Sequence, residues 1–330
     1  MSKLVEIQNL KKHFKTHRGM LHAVDDVSLS IEKGKTMGIV GESGCGKSTL
    51  GRLLVHLEES TAGRIIFNNE DVTQLRKKDM KKFREHSQII FQDPYSSLDA
   101  RYTVEDSIKE SLIISGRYSR ADALKKTIEL MDLVGIAPRL RLAYPHELDG
   151  GRRQRVGIAR ALALDPEFVV CDEPVSALDV SIQAQILNLI KKLQQEKKLT
   201  YMFITHDLSV VKHISDDICV MYLGQLVETS PSRELFKRQY HPYTKALLSA
   251  IPSIDINSRM KRIVLKGELT SPINPKSGCR FAARCSYVCE RCYLPQKLEE
   301  ISPNHFAACC RVREINNLKN EQMGVLNLNV

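Results

Sequence analysis

MGIVGESGCGKSTLGRLLVHL, residues 37–57, decides the reading of this chain. MGIV is a short unbroken apolar run, the pattern of a strand buried on both faces. TLGRLLVHL repeats apolar residues at helical spacing. Between them GESGCGKS, residues 41–48, fits G-x-x-x-x-G-K-[ST]. Strand, glycine loop and helix in that order are the context a phosphate-binding loop requires. Gly41, Gly44 and Gly46 let successive backbone N–H groups, with those of Ser43 and Cys45, point at phosphate oxygens, and the helix start adds its dipole. Lys47 would reach the β- and γ-phosphates of a nucleotide. Ser48 would ligate Mg²⁺, and Thr49 would touch the α-phosphate.

Downstream, FVVCDEP (residues 168–174) is an apolar strand that ends in two acids. Buried carboxylates without partners are costly. A nearby Mg-nucleotide supplies the partner: Asp172 would hold Mg²⁺ through water and Glu173 would polarise the attacking water. A capped strand-to-helix turn is the bland alternative. TYMFITHDLSVV (residues 200–211) adds a strand with His206 just past its end. In a parallel sheet that end opens on the nucleotide crevice, so His206 is placed to contact a γ-phosphate.

Taken together, GESGCGKS, Gln92 within IIFQDP, the LDGGR turn, FVVCDEP, SALD and ITHD stand in the order and rough spacing of ABC-transporter ATPase subunits, from about residue 4 to 312. Within that family GESGCGKSTLGR, FQDPYSSLD, HPYTKALLSAIP (residues 241–252) and the cysteine-containing tail resemble the oligopeptide/dipeptide and nickel import ATPases. The resemblance implies ATP and Mg²⁺ as ligands. It implies that Phe14 stacks on the adenine, a contact worth about 1–3 kcal/mol, and that Gln92 senses the γ-phosphate and Mg²⁺. It also implies that Asp179 reaches across a dimer interface. Core packing for Phe14 and an ordinary helix turn for residues 176–179 are the alternatives.

The family's signature loop, usually L-S-G-G-Q, closes on ATP held by a second ATPase domain. Here it reads Leu148-Asp149-Gly150-Gly151-Arg152. Asp149 is a good N-cap, but an ionised carboxylate cannot donate to phosphate. Two like charges about 4 Å apart repel by about 4 kcal/mol at an effective dielectric of 20. Arg152 either offsets this or pairs with Asp149. The expectation is a heterodimer in which the site using this chain's LDGGR is degenerate. Other implied partners are two transmembrane permease subunits and, indirectly, an extracellular substrate-binding protein.

The coarse pattern predicts an α/β fold of the P-loop NTPase type: a mostly parallel sheet core, an antiparallel β edge, an inserted helical subdomain at about 94–165 and a C-terminal extension. Strands are expected at 168–172, 201–205, 217–222 and 225–229. The domain expectation is an ATPase domain over residues 1–240 and an extension over 241–330. Composition agrees with a globular chain: 330 residues, 42% hydrophobic, 27% charged, net charge +10 from 49 basic and 39 acidic residues. No apolar run approaches a membrane span, and the N-terminus lacks the apolar block of a secretory signal. The expected location is peripheral, at the cytoplasmic face of the membrane. RKKDMKKFR (residues 76–84) reads as a solvated helix face, or as a surface for anionic lipid or nucleotide. The chain has no Trp and none of the usual nucleic-acid modules, so no nucleic-acid partner is expected. A soluble ABC ATPase acting on nucleic acid or ribosomes would usually carry two ATPase domains or long insertions.

Of nine cysteines, Cys45, Cys171 and Cys219 stand alone and six fall between residues 279 and 310. A cytosolic cluster of this kind favours metal over disulfides. Cys279, Cys285, Cys292 and Cys309 are spaced C-x5-C-x6-C-x16-C, similar to the C-terminal set of peptide-import ATPases, some of which carry a [4Fe–4S] cluster. Four thiolates suit an Fe–S cluster or Zn²⁺; reduced thiols stay open, and Cys289 and Cys310 are spare ligands. His305 reads as a surface residue. The cargo, whether dipeptide, longer peptide or nickel chelate, is not legible, because this subunit type does not touch it.

Overall fold

The computed structural model describes residues 2–251, 263–265, 267 and 271–318. The remainder of the expected 241–330 extension lies outside the described residues. In chain order the strands are β1 (Lys3–Thr16), β2 (Gly19–Glu32), β3 (Thr36–Val40), β4 (Ala62–Phe67), β5 (Glu70–Asp71), β6 (Ser87–Ile90), β7 (Phe168–Asp172), β8 (Thr200–Thr205), β9 (Asp217–Tyr222), β10 (Gln225–Pro231), β11 (Glu299–Ser302) and β12 (His305–Ala307). The helices are α1 (Lys47–Leu54), α2 (Lys77–His86), α3 (Pro94–Ser97), α4 (Val104–Ser115), α5 (Arg120–Leu133), α6 (Gly150–Leu162), α7 (Val180–Lys197), α8 (Leu208–Ile214), α9 (Ser232–Lys237), α10 (Pro242–Ser249) and α11 (Val312–Ile315).

The main sheet has the order β11-β12-β10-β9-β3-β8-β7-β6. From β9 to β6 every pairing is parallel; β10, β12 and β11 continue it antiparallel. β3 and β7 are buried at every position, which explains why both read as unbroken apolar runs rather than alternating ones. A second sheet, β2-β1-β4-β5, is wholly antiparallel. It packs over α1 through Leu4, Ile7, Val24, Val27 and Ile65, which share a core with Leu50 and Leu53.

On the other face, α4, α5 and α6 form the inserted helical unit. Thr103 caps α4 by accepting from the Asp106 N–H, and Ser119 caps α5 by accepting from the Asp122 N–H, each satisfying an otherwise orphaned donor. Their buried faces, Val104, Ile108, Leu112 and Leu130 among them, join Val169, Cys171 and Phe203 of the sheet in one core. In α2, Phe83 and Glu85 turn inward while Lys77, Lys78, Lys81 and Lys82 stay exposed.

The C-terminal region is not walled off from the sheet. The β11–β12 hairpin extends it by pairing β12 with β10, and Tyr243 and Phe281 share a core with Val40, Val220 and Tyr222. His305 is 2% exposed, not a surface residue, and its Nε2 lies 2.7 Å from Oε1 of the fully buried Glu228.

Candidate nucleotide-binding and hydrolysis site

Placing β3 between β8 and β9 brings the ends of β3, β7 and β8 to one edge, where a cleft of about 600 Å³ opens. Its floor is the turn between β3 and α1. Gly46 has φ 103° and is the N-cap of α1, with no side-chain cap. A Cβ at Gly46 would fall well inside van der Waals distance of the Ala23 carbonyl oxygen, and one at Gly41 would do the same against that of Met221. Both positions therefore admit only glycine. Ser43, Gly44, Gly46, Lys47, Ser48 and Thr49 line the cleft. Cys45 is buried beneath the loop, where desolvation raises its thiol pKa.

Lys47 is 4% exposed and folds back on the loop, donating to the carbonyls of Gly41 at 2.9 Å and Glu42 at 3.0 Å. Ser48 Oγ donates to Asp172 Oδ1 at 2.7 Å. Burial pushes the Asp172 carboxyl up, and the Ser48 hydrogen bond opposes this only in part. This oxygen-rich, partly desolvated pair fits a hard divalent cation such as Mg²⁺.

Glu173 follows with φ 45°, a left-handed conformation that turns the chain off the end of β7. Its Oε2 accepts from Gln92 Nε2 at 2.9 Å and lies 3.3 Å from His206 Nδ1. Gln92, Glu173 and His206, 114 residues from first to last (206 − 92), thus meet at one carboxylate oxygen and all line the cleft. Phe14 forms the opposite wall, with Lys12 Nζ 4.7 Å from its ring centre.

Sequence reasoning missed part of the rim. Leu21, His22, Ala23, Gly224 and Pro272 also line the cleft. Pro272 is held there because its carbonyl accepts from the His22 N–H at 3.0 Å and Ile273 bridges Leu21. His13 and His22 stack with ring centres 3.8 Å apart, and both reach Asp25, which also pairs with Arg280. No motif or periodicity marks these contacts.

The LDGGR turn lies elsewhere. Asp149 caps α6 by accepting from the Arg152 N–H at 2.7 Å, and the Arg152 guanidinium lies 3.4 Å from the same carboxylate. A Cβ on Gly151 would approach Ile182 Cγ2 of α7 to 2.6 Å, and one on Gly150 would approach Leu178 Cδ2 to 3.0 Å. Among the described residues lining the cleft, none comes from 149–152 or from Asp179, the residue preceding α7.

In the tail, the closest thiols are Cys289, Cys292 and Cys310, with Sγ separations of 3.8 Å and 3.7 Å along the trio. The spaced set of Cys279, Cys285, Cys292 and Cys309 lines a small cavity together with Cys310. Burial pushes Cys279 up to about 12 and Cys309 up to about 11. Because thiols ligate as thiolates, metal binding here would release protons.

Comparison with known proteins agrees with this geometry. The ABC transporter family profile matches residues 24–176, and the profile for the oligopeptide/dipeptide transporter C-terminal region matches residues 227–292. The chain is 49% identical over 309 residues to the oligopeptide transport ATP-binding protein OppF of Bacillus subtilis, covering 93% of this chain and 96% of that one. The chain belongs to the ABC transporter ATPases of the oligopeptide/dipeptide branch. AppF, another oligopeptide transport ATP-binding protein of Bacillus subtilis, is 48% identical over 318 residues, covering 93% and 96%. Among solved structures, the ATP-binding cassette MJ0796, a dimer in a post-hydrolysis state bound to ADP and Pi, superposes with a TM-score of 0.65 at 29% identity. That match covers 70% of this chain and 99% of the cassette. This ABC ATPase is therefore an ATP-hydrolysing subunit. Among the described residues, no helix is long and apolar enough to cross a membrane.

Proposed function

We propose that this ATPase energises a membrane permease that imports peptides, working as one half of an ATPase heterodimer at the cytoplasmic face of the membrane. The observation that carries the catalytic part is the meeting of Gln92, Glu173 and His206 beside the Ser48–Asp172 pair. The peptide cargo rests on relatives named as oligopeptide transport proteins.

In this reading the N–H groups of Ser43, Gly44 and residues 46–49, which line the cleft, cradle the phosphates. Lys47 exchanges its two carbonyl partners for the β- and γ-phosphate oxygens. Ser48, Gln92 and Asp172 would hold Mg²⁺, which would neutralise phosphate charge when bound. Glu173 Oε2 accepts a hydrogen bond from the attacking water and draws off its proton as the oxygen bonds to the γ-phosphorus and the bond to ADP breaks. His206 donates to the γ-phosphate, and Phe14 stacks on the adenine.

The signature turn supports the heterodimer. Asp149 and Arg152 neutralise each other, and no hydroxyl stands where the family has Ser, so this turn closes weakly on a partner's ATP. Asp179 would approach the same partner. The cysteine centre is assigned a thiolate-bound group, a [4Fe–4S] cluster with Zn²⁺ as the alternative, held from Cys279, Cys285, Cys292 and Cys309 with Cys289 and Cys310 adjacent. The soft donor set supports that assignment.

The test is the mass in solution of Glu173→Gln with and without Mg-ATP. The expected result is a monomer in both conditions, with dimer appearing only when the second ATPase subunit is added. An ATP-dependent homodimer whose parent form has two equally active sites overturns the asymmetry.

A further inference from the structure

The second residue of the phosphate loop, Glu42, is an acid in a loop built to attract anions. Two groups from the C-terminal region hold it. Its N–H donates to Tyr243 Oη at 2.9 Å, so this N–H does not face the cleft. Its carboxylate is gripped by Arg284, Nη1 to Oε2 at 2.7 Å and Nη2 to Oε1 at 3.2 Å. Tyr243 is fully buried and the Arg284 side chain is 9% exposed. This is a two-pronged guanidinium–carboxylate pair in a largely dry setting, the geometry in which such pairs are strongest. Glu42 is not among the residues lining the cleft.

Arg284 belongs to the stretch Cys279-Arg280-Phe281-Ala282-Ala283-Arg284-Cys285. Arg280, at the other end, donates to the Leu223 carbonyl and to Asp25, beside the cleft rim. Phe281 packs between them on Tyr222 and Tyr243, ring centres 5.4 Å from each. The stretch thus touches the nucleotide site at two separate points.

We propose that this loop braces the phosphate-binding loop, and that Arg284 is a positioning residue for nucleotide binding. It neutralises Glu42 and keeps that carboxylate off the phosphates. The inference rests on residues 41–48 being the phosphate-binding loop.

The test is calorimetric titration of Mg-ATP into the full chain, read as Kd. Arg284→Gln is expected to weaken binding about tenfold, the scale of one freed charge acting across a partly desolvated site. Glu42→Gln alone is expected to bind at least as tightly as the parent, because no carboxylate is then left in the loop to repel the phosphates. The double variant Glu42→Gln/Arg284→Gln is expected within about threefold of the parent (about 0.65 kcal/mol). Removing an unpaired carboxylate would also restore stability, so urea midpoints are read beside Kd: a weaker Kd in Arg284→Gln at an unchanged midpoint supports positioning, and an affinity loss that only follows the midpoint overturns it. An unchanged Kd in Arg284→Gln, a double variant as weak as Arg284→Gln, or weakened binding in Glu42→Gln overturns the brace. If Arg284→Gln does not fold, the Glu42→Gln result decides alone. Lys47→Ala separates the underlying assignment. Retained binding there overturns the phosphate-loop reading and the brace with it, whereas lost binding there beside an unchanged Arg284→Gln overturns the brace only.

Discussion

Replacing Glu228 tests how the C-terminal region is attached to the ATPase body. Glu228 sits in β10 with no exposed surface. Its Oε1 accepts from the Tyr240 N–H at 2.7 Å and lies 2.7 Å from His305 Nε2; its Oε2 accepts from the His241 N–H at 2.8 Å. All three donors are themselves at most 2% exposed. Glu228→Ala leaves three buried donors unmet, each costing about 1–3 kcal/mol. Relief of the carboxylate's own desolvation and water entering the gap offset part of this, giving a net loss of about 3–5 kcal/mol, the usual range for breaking one side of a buried pair. Glu228→Gln keeps one acceptor oxygen but sets an amide NH₂ against a remaining donor, so it should cost about 2 kcal/mol. Urea unfolding read by far-UV circular dichroism checks the order parent, Gln, Ala. Glu314→Ala, which removes the exposed partner of Arg291, is the control and should change little. A Glu228→Ala protein within about 1 kcal/mol of the parent would refute the reasoning, because the donors would then have found other partners.

Three further outcomes follow from the same geometry. His241 is 1% exposed, its Nδ1 accepts from the Tyr243 N–H, and burial lowers its pKa from 6.5 to about 4. The unfolded chain therefore binds the proton first. Stability is full above the ordinary value and falls by about 3 kcal/mol as pH drops from 6.5 to 4; His241→Asn keeps the helix cap and should flatten that slope in urea midpoints, and an equal slope would count against the assignment. Gly46→Ala forces a Cβ into a φ of 103° and against the Ala23 carbonyl. It should cost about 1–3 kcal/mol of strain and weaken Mg-ATP about a hundredfold by calorimetry; unaltered affinity would mean the loop is not the phosphate cradle. Glu173→Gln should lower the hydrolysis rate by about 10²–10⁴ while leaving ATP bound, and a rate near the parent's would remove Glu173 from the water-activating role.

Much of the nucleotide site was legible because its parts are local. The strand-loop-helix at 37–57 carries its own conformational demand in Gly41 and Gly46. Asp172, Glu173 and His206 announce themselves as polar residues ending apolar runs. The strands expected at 168–172 and 217–222 match β7 and β9 residue for residue, and those at 201–205 and 225–229 lie inside β8 and β10. Periodicity and the topology of a parallel sheet then bring those ends together. What the sequence by itself could not express are pairings without period or motif. Arg284 and Glu42 are 242 residues apart, and Pro272 reaches the cleft rim only because its carbonyl finds His22. Cysteine spacing singled out Cys279, Cys285, Cys292 and Cys309, whereas the fold draws Cys289, Cys292 and Cys310 closest. His305 read as a surface residue until β12 paired with β10 and put it on Glu228. The physical reason is the same in each case: a motif encodes the geometry of a few consecutive residues, while a long-range charge pair or thiol trio exists only after the sheet has chosen its order and buried its partners.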